Sequence, residues 1–126
     1  MPDELARIQA RVRRVNRRLD ERKADPSNAD RAIWGDLAVL TFAKATGQSA
    51  DVRIDPETIL GDLIADLMHW CDREKSNPDR VELLDFESAL GRARNHYEEE
   101  VQIEQNGTTV ERRIAPYPRE YKDKLI

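Results

Sequence analysis

The sequence predicts a mainly α-helical fold, a small bundle of about four helices followed by a C-terminal β-hairpin. Apolar residues recur at three- and four-residue intervals over four long segments. Short stretches rich in Pro, Gly, Asp and Asn separate these segments. Charged residues make up 37% of the chain and hydrophobic residues 39%, a balance typical of a small helical protein with much solvated surface. The length of 126 residues predicts a single domain, 1–126, with a modest core.

The first predicted helix lies within residues 1–24. Asp3 and Glu4 favour its N-terminus because acidic side chains stabilise the positive end of a helix dipole. Its narrow apolar stripe consists of Leu5, Ile8, Val12, Val15 and Leu19. A stripe of this width contacts one neighbouring helix. We expect that neighbour to belong to the same chain, because two copies of this arginine-rich helix would repel each other.

The predicted helical core covers residues 28–100. Ser27 or Asn28 caps its first helix, and Gly47 follows the end of that helix. The next helix is expected over residues 56–73, because Asp55 suits the N-cap and Pro56 the first helical position. A broad apolar side predicts that this helix is central to the bundle.

The last predicted helix begins after Asp85. We expect the centre of the core to contain four residues of the last two helices: Leu63, Leu67, Phe86 and Leu90. After residue 100 the pattern leaves two interpretations open, an extension of the helix or a strand. The Asn-Gly pair at 106–107 favours a hairpin over residues 101–114, and two prolines predict an irregular tail over residues 115–126.

The net charge of −4 is unevenly distributed along the chain. Residues 1–24 contain eight basic and four acidic side chains, which leaves −8 on the remainder. Such a basic helix can contact an acidic protein or phosphates, or can pack on its own acidic bundle. The candidate contacts are Arg7, Arg11, Arg14, Arg18 and Arg22. Nucleic acid is the less favoured partner, because the segment has no aromatic residues for base stacking.

Acidic and imidazole side chains form a second candidate group. Asp62, Asp66 and His69 lie on the polar side of the third predicted helix, and His96 lies on the fourth. Carboxylates and imidazoles on facing helices can bind a divalent metal. Their spacing matches no known metal-binding motif, so a solvated surface is the favoured interpretation. The sequence predicts no metal and no cofactor.

Motifs for enzymatic chemistry are weak. The single cysteine, Cys71, falls on the apolar side of its helix, where a thiol is inert. No glycine-rich phosphate loop is present. The segment ELLD at residues 82–85 matches one half of a paired magnesium-binding motif. A non-enzymatic role is therefore favoured, with a metal-dependent hydrolase as the alternative.

The composition also predicts where the protein acts. No stretch approaches the roughly 20 apolar residues that cross a bilayer, and the first residues do not resemble a signal peptide. A single cysteine provides no internal disulfide. We expect a cytoplasmic protein that does not enter membranes.

Two segments resemble a known group of proteins. TILGDLIADLMHWCDRE at residues 58–74, followed by DFESALGRARNHYEEE at residues 85–100, is similar to small uncharacterised proteins of bacteriophages, plasmids and integrated elements. These share the patterns TG, DLLADLMHW-D and DF--AL--A--HY--E. The resemblance covers roughly residues 37–100. It implies a common helical core and a mobile-element origin, and it implies no activity.

These observations together predict a small non-enzymatic accessory protein of a mobile genetic element that acts by protein–protein binding. The alternatives are a metal-dependent hydrolase that uses the Asp/His group and a nucleic-acid accessory protein that uses the arginine-rich helix. A second copy of the chain is left open as a partner.

Overall fold

The computed structural model describes residues 3–80 and 82–107, and in these ranges the chain is helical with no β-strand. The elements are α1 (Glu4–Arg22), α2 (Asn28–Ala45), a short 3-10 helix (Ser49–Asp51), α3 (Pro56–Lys75) and α4 (Phe86–Asn106). The predicted mainly α-helical fold with four helices is confirmed.

The chain divides into two compact units, Met1–Leu84 and Asp85–Ile126. Unit 1 contains α1, α2 and α3, and unit 2 contains α4. The prediction of a single domain stays a prediction.

Each of the four α-helices begins with a side-chain cap. The aspartates before α1, α3 and α4 each accept a hydrogen bond from a backbone N–H in the first turn. For α1, the Asp3 carboxylate accepts from the backbone N–H of Ala6 at 2.7 Å. Ser27 caps α2 by accepting from the backbone N–H of Asp30 at 3.1 Å. These local hydrogen bonds satisfy donors that the helix itself leaves unpaired, and they explain why the predicted starting points match the structure.

In unit 1, α1 packs against α2, and α2 packs against α3. The contact is apolar. The side chains buried in it come from all three helices and are Ile8, Val15, Leu40, Ala43 and Ile59. The apolar stripe of α1 thus packs on its own chain, as the sequence predicts.

Polar contacts hold α1 on α2 at both ends of this apolar layer. The indole N–H of Trp34 donates to the side-chain oxygen of Asn16 at 3.1 Å. The ammonium of Lys44 lies 3.3 Å from the carboxylate of Asp3. These contacts bridge different helices, so they fix the rotation of α1 against α2.

The predicted centre of the core is wrong, because none of its four residues is buried. Leu67 is 43% exposed and Leu90 is 39% exposed, whereas Leu63 and Phe86 are half-buried. The buried residues of α3 are instead Ile59 and Cys71. In unit 2, no described residue of α4 is buried.

The predicted first strand of the hairpin is helical. α4 continues through residues 101–106 and ends at Gly107, whose φ is 63°. Residues 98–105 are mostly Glu and Gln, which favour a helix, and glycine adopts the left-handed conformation that ends one. The Asn-Gly pair therefore forms a helix terminus. The remainder of the predicted hairpin, 108–114, and the predicted tail, 115–126, lie outside the described residues.

Two glycines of unit 1 provide a matched pair of alanine substitutions with opposite expected effects. Gly35 lies inside α2, and no described atom lies within 4 Å of the position that a Cβ would occupy. Gly35→Ala should therefore raise the free energy of unfolding by about 0.5–1 kcal/mol. Gly47 has a φ of 74°, so Gly47→Ala should lower it by about 1 kcal/mol. Urea denaturation measures both values, and changes of the same sign would contradict this description of α2 and its end.

Candidate functional site

One side of α3 is apolar and open to solvent. We name it the α3 apolar face, and it consists of Leu60, Ile64, Leu67 and Met68. Their side chains are between 39% and 48% exposed. Ile64 is four residues after Leu60, three before Leu67 and four before Met68, and positions at these intervals lie on adjacent turns of one side of a helix. Single exposed apolar residues are ordinary, but a contiguous group of this kind is typical of an interaction surface.

α2 defines one edge of the α3 apolar face. Ile59, on that edge, is 1% exposed, and Leu63 beside it is half-buried. The opposite edge is exposed and mainly acidic, with Glu57 near the start of α3 and Asp72, which pairs with Lys75 at 3.9 Å, near its end. Gly61 has no described atom within 4 Å of a Cβ position. A partner can therefore approach the backbone of α3 closely on this side.

The segment after α3 folds back and fixes the C-terminal end of the helix. The guanidinium of Arg80 lies 5.7 Å from the centroid of the Trp70 ring and 2.7 Å from the carboxylate of Glu74. The hydrogen bond from Arg80, with a further one from Asn77, holds the pKa of Glu74 below its ordinary value. Trp70 is thus held in place while 44% of it remains exposed, next to the α3 apolar face.

A second surface lies on α1. The five predicted arginines share one side of the helix, beside the buried stripe, and all are exposed. We name this set the arginine strip: Arg7, Arg11, Arg14, Arg18 and Arg22. At 1.5 Å per residue it extends over roughly 22 Å.

Arg18 of the arginine strip forms an ion pair with a residue of α2. Its guanidinium lies 2.5 Å from the carboxylate of Asp30, whose side chain is buried. The same carboxylate accepts from the backbone N–H of Ser27 at 3.0 Å, which completes a capping box at the start of α2. The Ser27 N–H and then Arg18 hold the pKa of Asp30 below its ordinary value. Arg18 is therefore a link between α1 and α2 as well as a member of the strip.

The other arginines of the strip differ in their surroundings. The backbone N–H of Ala6, then Lys44 and last the charge of Arg7 hold the pKa of Asp3 below its ordinary value. Within residues 3–80 and 82–107, Arg11, Arg14 and Arg22 form no ion pair. The strip as a contact surface stays a prediction, and its exposed charges are available to a ligand.

The Asp/His candidates do not form a cluster. Asp62 accepts a hydrogen bond from the side-chain amide of Gln48 at 3.1 Å, and Asp66 and His69 are exposed on α3. His96 is half-buried in unit 2. In the described ranges, no group of three or more His, Cys, Asp or Glu side chains is placed to hold a metal ion.

Cys71 is a free thiol, and its side chain is buried. The predicted position of this cysteine on the apolar side of α3 is confirmed.

The α3 apolar face was not among the surfaces predicted from the sequence. The available signal was the width of the apolar side of α3, which exceeds what contact with α2 covers.

None of the described helices combines the length and apolar character required to cross a bilayer. Comparison with known proteins gave no matching family model, curated protein or solved structure.

Proposed function

We propose that the chain is a small non-enzymatic accessory protein that binds another protein through the α3 apolar face. The observation that carries this proposal is the exposure of Leu60, Ile64, Leu67 and Met68 on adjacent turns of one helix. We further propose a mobile-element origin, and its support is the resemblance of residues 58–74 and 85–100 to proteins of phages and plasmids.

The free energy available at this face favours a partner of defined shape. Each of the four side chains is nearly half exposed, so covering it yields about 1 kcal/mol. The total for four side chains, about 4 kcal/mol, is comparable with the lower end of the free-energy cost of losing translational and rotational freedom on association. A partner must therefore add contacts beyond the four side chains, at Trp70 or at the acidic edge.

An amphipathic helix fits these requirements. Its apolar residues at intervals of three and four match the intervals on α3, so the two rows interdigitate. A basic residue on its flank would face Glu57 on the acidic edge, since Asp72 already pairs with Lys75. We therefore propose a helical partner segment with a mixed apolar and basic surface.

The test compares two double variants, each of which replaces one isoleucine and one leucine by aspartate. Ile64→Asp with Leu67→Asp alters the α3 apolar face. Ile54→Asp with Leu83→Asp alters two residues that are more exposed, at 80% and 98%, and lie outside it. Both variants add two negative charges. We expect the face variant to weaken binding of the partner by at least about tenfold, and the control to bind as the parent does.

The measurement begins with photo-crosslinking from position 68 in the host cell and identification of the captured protein. Affinity is then measured by calorimetry with that purified protein and with each variant. Circular dichroism checks that both variants are helical. Parent-like affinity of the face variant, or equal losses in both variants, would contradict the proposal. Capture of a second copy of the chain alone would also contradict it.

A further inference from the structure

We propose that the arginine strip is a second binding surface, and that its ligand is the acidic side of a helix in a partner protein. The strip contains Arg7, Arg11, Arg14, Arg18 and Arg22 on one side of α1. The apolar side of α1 is occupied by α2, so the strip is open to polar contact from a neighbouring molecule. This surface is separate from the α3 apolar face.

The spacing of the strip matches a helix that lies alongside α1. Successive arginines are four, three, four and four residues apart, which is about 4.5–6 Å along the axis. A helix that lies parallel or antiparallel to α1, with glutamates at the same intervals, would present carboxylates at the same spacing as the arginines over several turns. Each guanidinium can also bind a carboxylate through two parallel hydrogen bonds.

The structure holds the strip in place before any ligand binds. The buried carboxylate of Asp30 fixes Arg18, the fourth arginine of the row, at 2.5 Å. Trp34 and Lys44 bind α1 at Asn16 and Asp3. Because α1 is anchored along its length, little conformational freedom of the backbone is lost on binding.

The distribution of charge favours an acidic helix over a nucleic-acid duplex. The chain carries −4 in total and −8 outside residues 1–24, which repels a densely charged duplex. Glu21 lies beside Arg18, which is three residues before it on the surface of α1, where a continuous row of phosphates would meet it. An acidic helix requires negative charge only at the positions that face arginines. α1 also has no aromatic side chain for stacking on bases.

The experiment uses the full chain and a synthetic helical peptide with glutamates spaced by four, three and four residues. Arg11→Glu with Arg14→Glu reverses two charges inside the strip. Arg13→Glu with Arg17→Glu reverses two charges on α1 outside it. By fluorescence anisotropy, we expect the strip variant to bind the peptide at least about tenfold more weakly than the parent. We expect the control variant to stay within about threefold of the parent.

Further controls separate this inference from folding and from the proposed function. Glutamine at Arg11 and Arg14, or at Arg13 and Arg17, removes charge without reversing it. The strip variant with glutamine should again bind the peptide more weakly than the control variant with glutamine. Melting temperatures establish that all variants are folded. Ile64→Asp with Leu67→Asp should bind the peptide as the parent does, whatever its effect on the proposed partner.

Three outcomes would overturn the inference. One is failure of the parent to bind the peptide at low salt. Another is an equal loss in the strip and control variants, which would show that total charge alone determines binding. The third is tighter binding of a duplex DNA probe than of the peptide with the same dependence on the strip, which would make the strip a nucleic-acid surface.

Discussion

Truncation of Ile59 to alanine should lower the free energy of unfolding by about 2–5 kcal/mol, because the change removes buried methyl and methylene groups and leaves a cavity. Ile59 is 1% exposed and is the largest side chain that is fully buried within residues 3–80 and 82–107. It lies where α3 packs against α2, an interface smaller than that between α1 and α2. Urea denaturation followed by circular dichroism measures the change.

Ile54 provides the matched control, because Ile54→Ala is the same chemical change five residues earlier, at a side chain that is 80% exposed. We expect that substitution to change stability by no more than about 0.5 kcal/mol. Equal effects of the two substitutions would show that α3 does not pack on α2 through Ile59. The pair therefore tests the orientation of α3, on which the position of the α3 apolar face depends.

The positions at which helices begin could be predicted because the signals are local. Asp3, Asp55 and Asp85 each bond to an N–H three residues later, and this interaction needs no other part of the chain. Gly47 likewise marks the end of α2, because its positive φ suits glycine. Local hydrogen bonds and backbone preferences thus account for most of the predicted secondary structure.

The choice of which apolar side is covered could not be predicted in the same way. Leu67 and Ile59 both lie on the broad apolar side of α3, yet one is 43% exposed and the other 1%. The difference depends on the side from which α2 approaches, and that approach is a long-range property of the fold. The same limit applies to Leu90, because the periodicity of α4 shows an apolar side without showing what covers it.

The end of α4 shows a local signal with two meanings. Asn-Gly suits a hairpin turn because both residues tolerate a positive φ, and glycine suits a helix end for the same reason. Residues 101–106 decide the outcome, since their Glu and Gln side chains favour continuation of the helix to Asn106.

The five arginines of the strip were predicted from the sequence as candidate contacts, but the partner of Arg18 was not. Asp30 is twelve residues away and belongs to the next helix. A signal was present nonetheless, because Ser27 and Asp30 have the spacing of a capping box. A carboxylate at that position lies at the N-terminus of α2, where the helix before it passes nearby. Recognition of the box would have placed a negative charge next to α1.

Replacement of Asp30 by alanine should lower the free energy of unfolding by about 2 kcal/mol. The carboxylate accepts from the backbone N–H of Ser27 at 3.0 Å and pairs with Arg18 at 2.5 Å. Loss of a capping interaction costs about 1 kcal/mol. Loss of an ion pair whose arginine is about half exposed costs about another 1 kcal/mol. Asp36→Ala, at an exposed position of the same helix, is the control and should change stability by less than about 0.5 kcal/mol.

The pH dependence of this loss identifies its electrostatic part. The pKa of Asp30 is lower in the folded chain than its ordinary value of 3.8, so the unfolded chain binds a proton first as the pH falls. Its charge therefore contributes fully to stability above about pH 5, and the contribution disappears as the pH falls through the lowered pKa.

Asp30→Asn keeps a side-chain oxygen for the Ser27 N–H and removes the charge. The stability difference between the parent and Asp30→Asn should then be constant above about pH 5 and should shrink towards pH 2. Both proteins should still lose some stability in acid, because the pKa values of Asp3 and Glu74 are also lowered. A difference that stays unchanged down to pH 2 would mean that Asp30 stabilises the junction of α1 and α2 through its shape and hydrogen bonds rather than its charge.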